Sequence, residues 1–199
     1  AIRLVEGTKD STYRNQARSL YDWTRSQLLD PYDGLYWYSV RLDGTIEKTK
    51  HAYNTGQMIQ AGVLLFQHTG EKRYLQEAQQ SAAAGYRYFF EYTSADDATE
   101  AVNVDFTVLR QATLWFISIM FRGYVVLYMA DGNAEYVQAF GHNLASAWHT
   151  MRDEHGLFGT NGSGRENGER KWLLNQFAMV EMYARLAVLD YGDQLGAKR

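Results

Sequence analysis

Six side chains carry the chemistry that the sequence offers most directly: Trp37, Tyr53, Asn54, Trp172, Asn175 and Gln176. All are aromatic or amide groups. A ring of this kind stacks on an apolar C–H face, and an amide both donates to and accepts from hydroxyls. The set therefore suits holding a polyhydroxylated ring more than breaking a bond. Trp37 lies in Leu35-Tyr36-Trp37-Tyr38, inside a long connection. There it either faces a ligand or packs the connection down, with Tyr36 or Tyr38 turned the other way. Tyr53-Asn54-Thr55 opens an apolar helix, where Asn54 reads either as an N-cap or as a ligand contact, with Tyr53 beside it. Asn175-Gln176 stand one turn inside another apolar helix, behind Trp172. Their amides need partners, because a buried unpaired polar group costs ~1–3 kcal/mol. Those partners are neighbouring helices or the hydroxyls of a ligand. Arg122, the one charge between Trp115 and Tyr128, calls for a carboxylate.

Other chemistries find less support. The five His residues lack the i, i+4 spacing with Glu of a zinc helix, and His142 and His149 read as packing residues. The Gly159–Gly164 stretch follows no strand, so it reads as a loop and not as a phosphate cradle. No serine sits in a nucleophile elbow. With no Cys, disulfides and thiolate metal sites are excluded. One carboxylate pair, Asp96-Asp97, lies in a long connection among small polar residues, the setting of a solvated loop. No metal or cofactor is implied.

The elements that must position these groups repeat. Tyr13, Tyr74 and Tyr136 follow Gly7, Gly70 and Gly132 at intervals of 61 and 62 residues. Asp33-Gly34-Leu35-Tyr36 and His155-Gly156-Leu157-Phe158 lie two periods apart. Three units of about sixty residues follow, each a helical hairpin. First helices are expected at 11–29, 71–91 and 133–151, amphipathic, with Ser11 as the N-cap of the earliest. Second helices are expected at 54–68, 113–130 and 172–189 and are more apolar. Gly7, Gly70 and Gly132 close the helices before them. The turns at Gly70 and Gly132 are tight, whereas 30–53, 92–112 and 152–171 are each about twenty residues long. Long connections inside compact domains carry function, and all three lead into a second helix.

The bulk numbers agree with a globular chain. Of 199 residues 46% are hydrophobic and 22% charged, with 15 Tyr, 9 Phe and 5 Trp against one Pro. A net charge of −3 gives no electrostatic reason to expect nucleic acid or an anionic membrane as partner. No uninterrupted apolar run reaches membrane-spanning length, so no span is expected. Residues 1–6 read as the last turns of a helix stopped by Gly7, which suggests that further chain precedes them.

Gly70-Glu71-Lys72-Arg73-Tyr74-Leu75, Phe116 through Tyr124, and Leu173-Leu174-Asn175-Gln176 resemble glycoside hydrolase family 76, the endo-acting α-1,6-mannanases. The likeness extends in order over nearly the whole chain. It implies an all-α (α/α)6 toroid of six hairpins, of which this chain would supply about half: three hairpins and a partial helix, in one domain over 1–199 incomplete at its N-terminus. It also implies an α-mannan polysaccharide or oligosaccharide as substrate, held by Trp37, Tyr53, Asn54, Trp172, Asn175 and Gln176. Catalysis would be retaining, on two consecutive Asp residues expected upstream of residue 1, so the catalytic residues of this chain are unknown. Ile117-Ser118 departs from the family's polar residue after Phe116. The resemblance further implies an extracellular or periplasmic location. The partners implied are α-mannan and either the missing N-terminal half or a second copy. Inner-helix faces around Met58, Ile119, Phe121 and Phe177 would then stand exposed. Two rivals stay open: a non-catalytic glycan-binding or interaction toroid, and another six-hairpin sugar enzyme, a 2-epimerase or an unsaturated glucuronyl hydrolase.

Overall fold

Six helices and two small antiparallel hairpins make up the described part of the chain. The computed structural model describes residues 10–93, 106–109, 113–159 and 171–194. In order the elements are α1 (Ser11–Leu28), β1 (Trp37–Val40), β2 (Ile46–Lys50), α2 (Ala52–Thr69), α3 (Lys72–Phe89), β3 (Phe90–Thr93), β4 (Phe106–Leu109), α4 (Leu114–Asp131), α5 (Glu135–Thr150) and α6 (Leu173–Gln194). The three expected helical pairs are all present. Gly70 and Gly132 adopt φ of 72° and 77°, a conformation open to glycine without penalty, and so end α2 and α4. The cap of α1 is Asp10, whose carboxylate accepts the Thr12 N–H at 2.8 Å, and not Ser11. The helix expected over residues 1–6, with its stop at Gly7, lies outside the described residues.

The chain divides into two compact units. The first comprises residues 1–88 and 122–133. Tyr21 meets Tyr74 edge to face with ring centroids 5.3 Å apart, and Leu65 completes a cluster against which Met58, Leu64 and Phe66 pack. Close approach of backbones is the second device holding this unit. A Cβ built on Gly62 would lie 2.9 Å from the Tyr74 carbonyl, and one on Gly123 would lie 2.5 Å from the Gly56 carbonyl. The hydroxyl of Tyr124, the next residue, donates to the Ala82 carbonyl at 3.0 Å.

The second unit comprises residues 89–121 and 134–199. Phe140 stands between Phe90 and Phe121, at 5.3 and 4.7 Å between centroids. Asn143 ties β4 to α5: its carbonyl oxygen accepts the Leu109 N–H at 2.9 Å while its amide donates to the Ala139 carbonyl. The Tyr183 hydroxyl donates to the Leu144 carbonyl at 2.6 Å, and burial pushes its pKa up to about 12.

Helix α4 is long and apolar enough to cross a membrane by length and composition, with a mean hydropathy of 1.3 over 18 residues. More than half of that stretch is buried, as in the core helix of a globular protein. The expected exposure of second-helix faces is corrected in part. Ile119 and Phe121 are buried and Met58 is half-buried, because each packs within its own unit. Phe177 is exposed, and it belongs to a run on α6 with Leu173, Leu174, Val180 and Val188, all between 48 and 70% exposed.

The described parts of the connections hold more secondary structure than the sequence reading allowed. Residues 30–53 hold the β1–β2 hairpin, closed by Asp43-Gly44 with Gly44 at φ 84°, and Arg41 N–H donates to the Thr45 carbonyl at 2.8 Å. Residues 90–93 and 106–109 pair as a second hairpin in register from Phe90–Leu109 to Thr93–Phe106. The Asp96-Asp97 pair and the glycine-rich residues 160–164 lie outside the described residues.

Candidate functional site

Trp37, Tyr53 and Asn54 gather at the start of α2. The helix begins at Ala52 with His51 as its N-cap, so the cap reading of Asn54 is corrected: Asn54 lies inside the first turn. Its amide donates to the Trp37 carbonyl at 3.5 Å, which links the helix start to β1. Tyr53 stacks on the His51 ring with centroids 5.4 Å apart and planes 10° from parallel, and Tyr38 meets the same His51 ring edge-on at 5.3 Å. Burial, with the Tyr38 hydroxyl beside it, raises the Tyr53 pKa. Trp37 is half-buried in β1 and not in an irregular loop, while Tyr36 is buried and Tyr38 exposed. Half-exposed rings on a paired strand form a stacking platform that loses little entropy when a ligand arrives.

A lysine fixes this platform. Lys50 Nζ donates to Asp30 Oδ2 at 2.7 Å and also to Asp33, and the indole N–H of Trp37 donates to the same Asp30 oxygen at 3.1 Å. Asp30 Oδ1 accepts the Tyr32 N–H, and Asp33 Oδ1 accepts the Leu35 N–H, each at 3.0 Å. The ammonium of Lys48 lies 5.2 Å from the Trp37 ring centroid. The Lys50 hydrogen bond, more than any other contact, holds the Asp30 carboxyl below the usual carboxylate range. A carboxylate kept ionised in this way is a poor general acid at neutral pH, so Asp30 reads as a positioning residue. Its stabilisation is complete above the unfolded pKa of ~3.9 and is lost as pH falls through the depressed folded value. Lys50→Met should lower stability at pH 7 by about 3 kcal/mol, since it strands a carboxylate that is largely out of water. Melts from pH 7 to pH 3 should show the gap between wild type and variant closing below about pH 4, where Asp30 protonates.

The second unit repeats this arrangement. Lys171, just before α6, pairs with Asp153, just after α5, at 3.3 Å, as Lys50 before α2 pairs with Asp30 after α1. Gly156 and Gly34 share φ 77°, and isolated bridges Arg152–Phe158 and Leu29–Tyr36 occupy matching places. Each connection is stapled at its two ends by a Lys–Asp pair. Sequence reasoning missed both pairs, although a Lys two residues before each helix was a signal within reach.

The amides of α6 are corrected. Asn175 is 1% exposed, which closes its side chain off from a ligand. Gln176 accepts the Phe158 N–H and donates to the Phe158 carbonyl, both at 3.0 Å, in the manner of one more strand residue. Both polar atoms of that amide are committed to the connection. Trp172, whose carbonyl accepts the Asn175 and Gln176 N–H groups, is 52% exposed. Two residues that were not among the candidate site residues join the site in the first unit: His51 and Tyr38. Among the described residues no group of three His, Cys, Asp or Glu side chains could hold a metal ion.

The described chain is a run of helical hairpins whose connections are stapled at the starts of two apolar helices. The model of glycosyl hydrolase family 76 matches residues 1–194, and the chain belongs to that family. A family 76 glycoside hydrolase structure from a bovine Bacteroides thetaiotaomicron strain is 30% identical with a TM-score of 0.86, over 95% of this chain and 41% of that one. A family 76 mannosidase from Bacteroides thetaiotaomicron VPI-5482 is 31% identical with a TM-score of 0.87, over 96% of this chain and 52% of that one. The family 76 α-1,6-mannanase of Salegentibacter sp. is 28% identical with a TM-score of 0.72, over 94% of this chain and 56% of that one. No curated protein matches. The expected fold class, the all-α hairpin toroid, is therefore the class of this chain, which spans about half the length of the structures it matches.

Proposed function

We propose that this chain is part of a glycoside hydrolase that cleaves an α-1,6-linked mannan backbone with retention of configuration. The observation that carries the reading is the platform at the start of α2, where the rings of Trp37, Tyr38 and Tyr53 gather beside the Asn54 amide. Similarity to the Salegentibacter α-1,6-mannanase supports it. An inactive variant of that enzyme, 25% identical to this chain, is solved with α-1,6-mannotetraose bound. Trp172, in the second unit, is a candidate glycan contact of its own. Two carboxylates ~5–5.5 Å apart suffice for the chemistry, one attacking the anomeric carbon and the other passing the proton. We place that pair in the part of a family domain that these residues do not span. The exposed run on α6 is where further hairpins of such a domain would pack, and a polymer of this size argues for work outside the cytoplasm.

In a family-length protein containing these residues, linear α-1,6-mannan should be hydrolysed, and Trp37→Ala should lower kcat/KM about tenfold, the loss of one good stacking contact. Wild-type kinetics in that variant would remove Trp37 from the site. A protein that is retained by mannan yet releases no sugar would put a glycan-binding module in place of the enzyme.

A further inference from the structure

A cavity in the first unit lies beside the platform described above and shares Asp33 with its lysine staple. It is an open concavity of about 550 Å³, within the ordinary range of ligand pockets, between the 30–34 turn and α3. Its floor is where Gly34, at φ 77°, meets Ala84: a Cβ on Gly34 would lie 3.3 Å from the Ala84 Cβ, so the small residues Ala83 and Ala84 let the turn settle close. Its rim carries Tyr32, Asp33, Gln80, Arg87 and Tyr88.

We infer that this cavity is an additional saccharide subsite, taking one pyranose ring of a neutral polysaccharide. Three observations lead there. Tyr32 is 96% exposed, yet its turn is held at Asp30 Oδ1, by Gly34 N–H on the Asp30 carbonyl at 2.9 Å, and by Lys50 across Asp30 and Asp33. A large ring displayed on a pinned turn is a preorganised contact, with little left to order on binding. Tyr88 is the second ring, 41% exposed, and Lys50 Nζ lies 5.9 Å from its centroid, so the staple that fixes the turn also neighbours this ring. The polar rim mixes a guanidinium, an amide and a carboxylate, the donors and acceptors that vicinal hydroxyls need. Its charges balance: Arg87 and Lys50 stand against Asp30 and Asp33, which favours a neutral ligand over a phosphate or sulfate ester. The subsite rests on the reading of the chain as a glycan-active protein and adds ring contacts other than that of Trp37, on a turn that the same Asp30 carboxylate holds.

The test is retention of the 199-residue chain in gels containing linear α-1,6-mannan, β-1,4-mannan, dextran or a sulfated dextran, for wild type, Tyr32→Ala/Tyr88→Ala, Arg87→Ala and Trp37→Ala. Tyr32 and Arg87 are exposed, so unchanged thermal melts are expected of their variants. The double tyrosine variant should weaken retention by α-1,6-mannan about fivefold or more. Unchanged retention in the double variant, with Trp37→Ala still weakened, overturns the subsite and leaves the mannanase reading standing. Tyrosine-dependent retention by another neutral polymer but not by α-1,6-mannan supports the subsite and overturns the mannan substrate. Retention by the sulfated polymer alone, or by none, overturns the subsite.

Discussion

Gly123→Ala should be among the most destabilising single-methyl changes in this protein, lowering stability by at least ~3 kcal/mol and the melting midpoint by roughly 10 °C. The new Cβ would sit 2.5 Å from the Gly56 carbonyl oxygen and about 3.1 Å from its Cα, inside any tolerable contact. What it meets is backbone, so no rotamer change can relieve the overlap and α4 must move away from α2. That movement would also loosen the Tyr124–Ala82 hydrogen bond, one residue further along α4. Gly62→Ala should cost less. Its nearest neighbour is the Tyr74 carbonyl at 2.9 Å, and the next are the ends of the Ala78 and Tyr21 side chains at 3.2 Å. Thermal and denaturant unfolding of the two variants would rank them, and a Gly123→Ala protein as stable as wild type would show that the helices do not cross so closely.

The 199-residue chain prepared alone should bind a hydrophobic dye and self-associate at micromolar concentration, and Leu173→Lys/Phe177→Lys/Val180→Lys should abolish both. Positions 173, 177, 180 and 188 recur at helical spacing, so they form one stripe along α6, with Leu174 and Trp172 at its start. The largest apolar patch on an ordinary monomer covers roughly 300–600 Å², and a stripe of five or six large side chains competes with that limit. Lysines at these exposed positions cost little in the folded chain, so the triple variant separates surface stickiness from unfolding. Sedimentation as a clean monomer without dye binding would mean that α6 is covered by the chain itself.

The two units differ in how much of their construction was readable in advance. Helix boundaries followed from apolar spacing and from Gly70 and Gly132, whose positive φ at a helix end is a local property. The β1–β2 hairpin was overlooked although Asp43-Gly44 between Val40 and Ile46 is a hairpin signal, because twenty residues without helical periodicity were read as loop. At the sites, Trp37, Tyr53 and Asn54 were found as neighbours, since one short hairpin brings them to the same helix start. Asn175 and Gln176 were misjudged. Nothing next to them in sequence says that Phe158, eighteen residues earlier, would take both polar atoms of Gln176.

Sequence alone therefore determined the helices, their pairing into hairpins and the aromatic and amide supply at the helix starts, because periodicity and glycine stops act over a few residues. Tertiary structure decided which of those groups still face a ligand. Burial of Asn175, the Lys50–Asp30 and Lys171–Asp153 staples, and the cavity beside Tyr32 all depend on partners distant in sequence or on a neighbouring helix. The physical reason is that a polar side chain's availability is set by what else has already satisfied it, and that competition is settled only when distant segments meet.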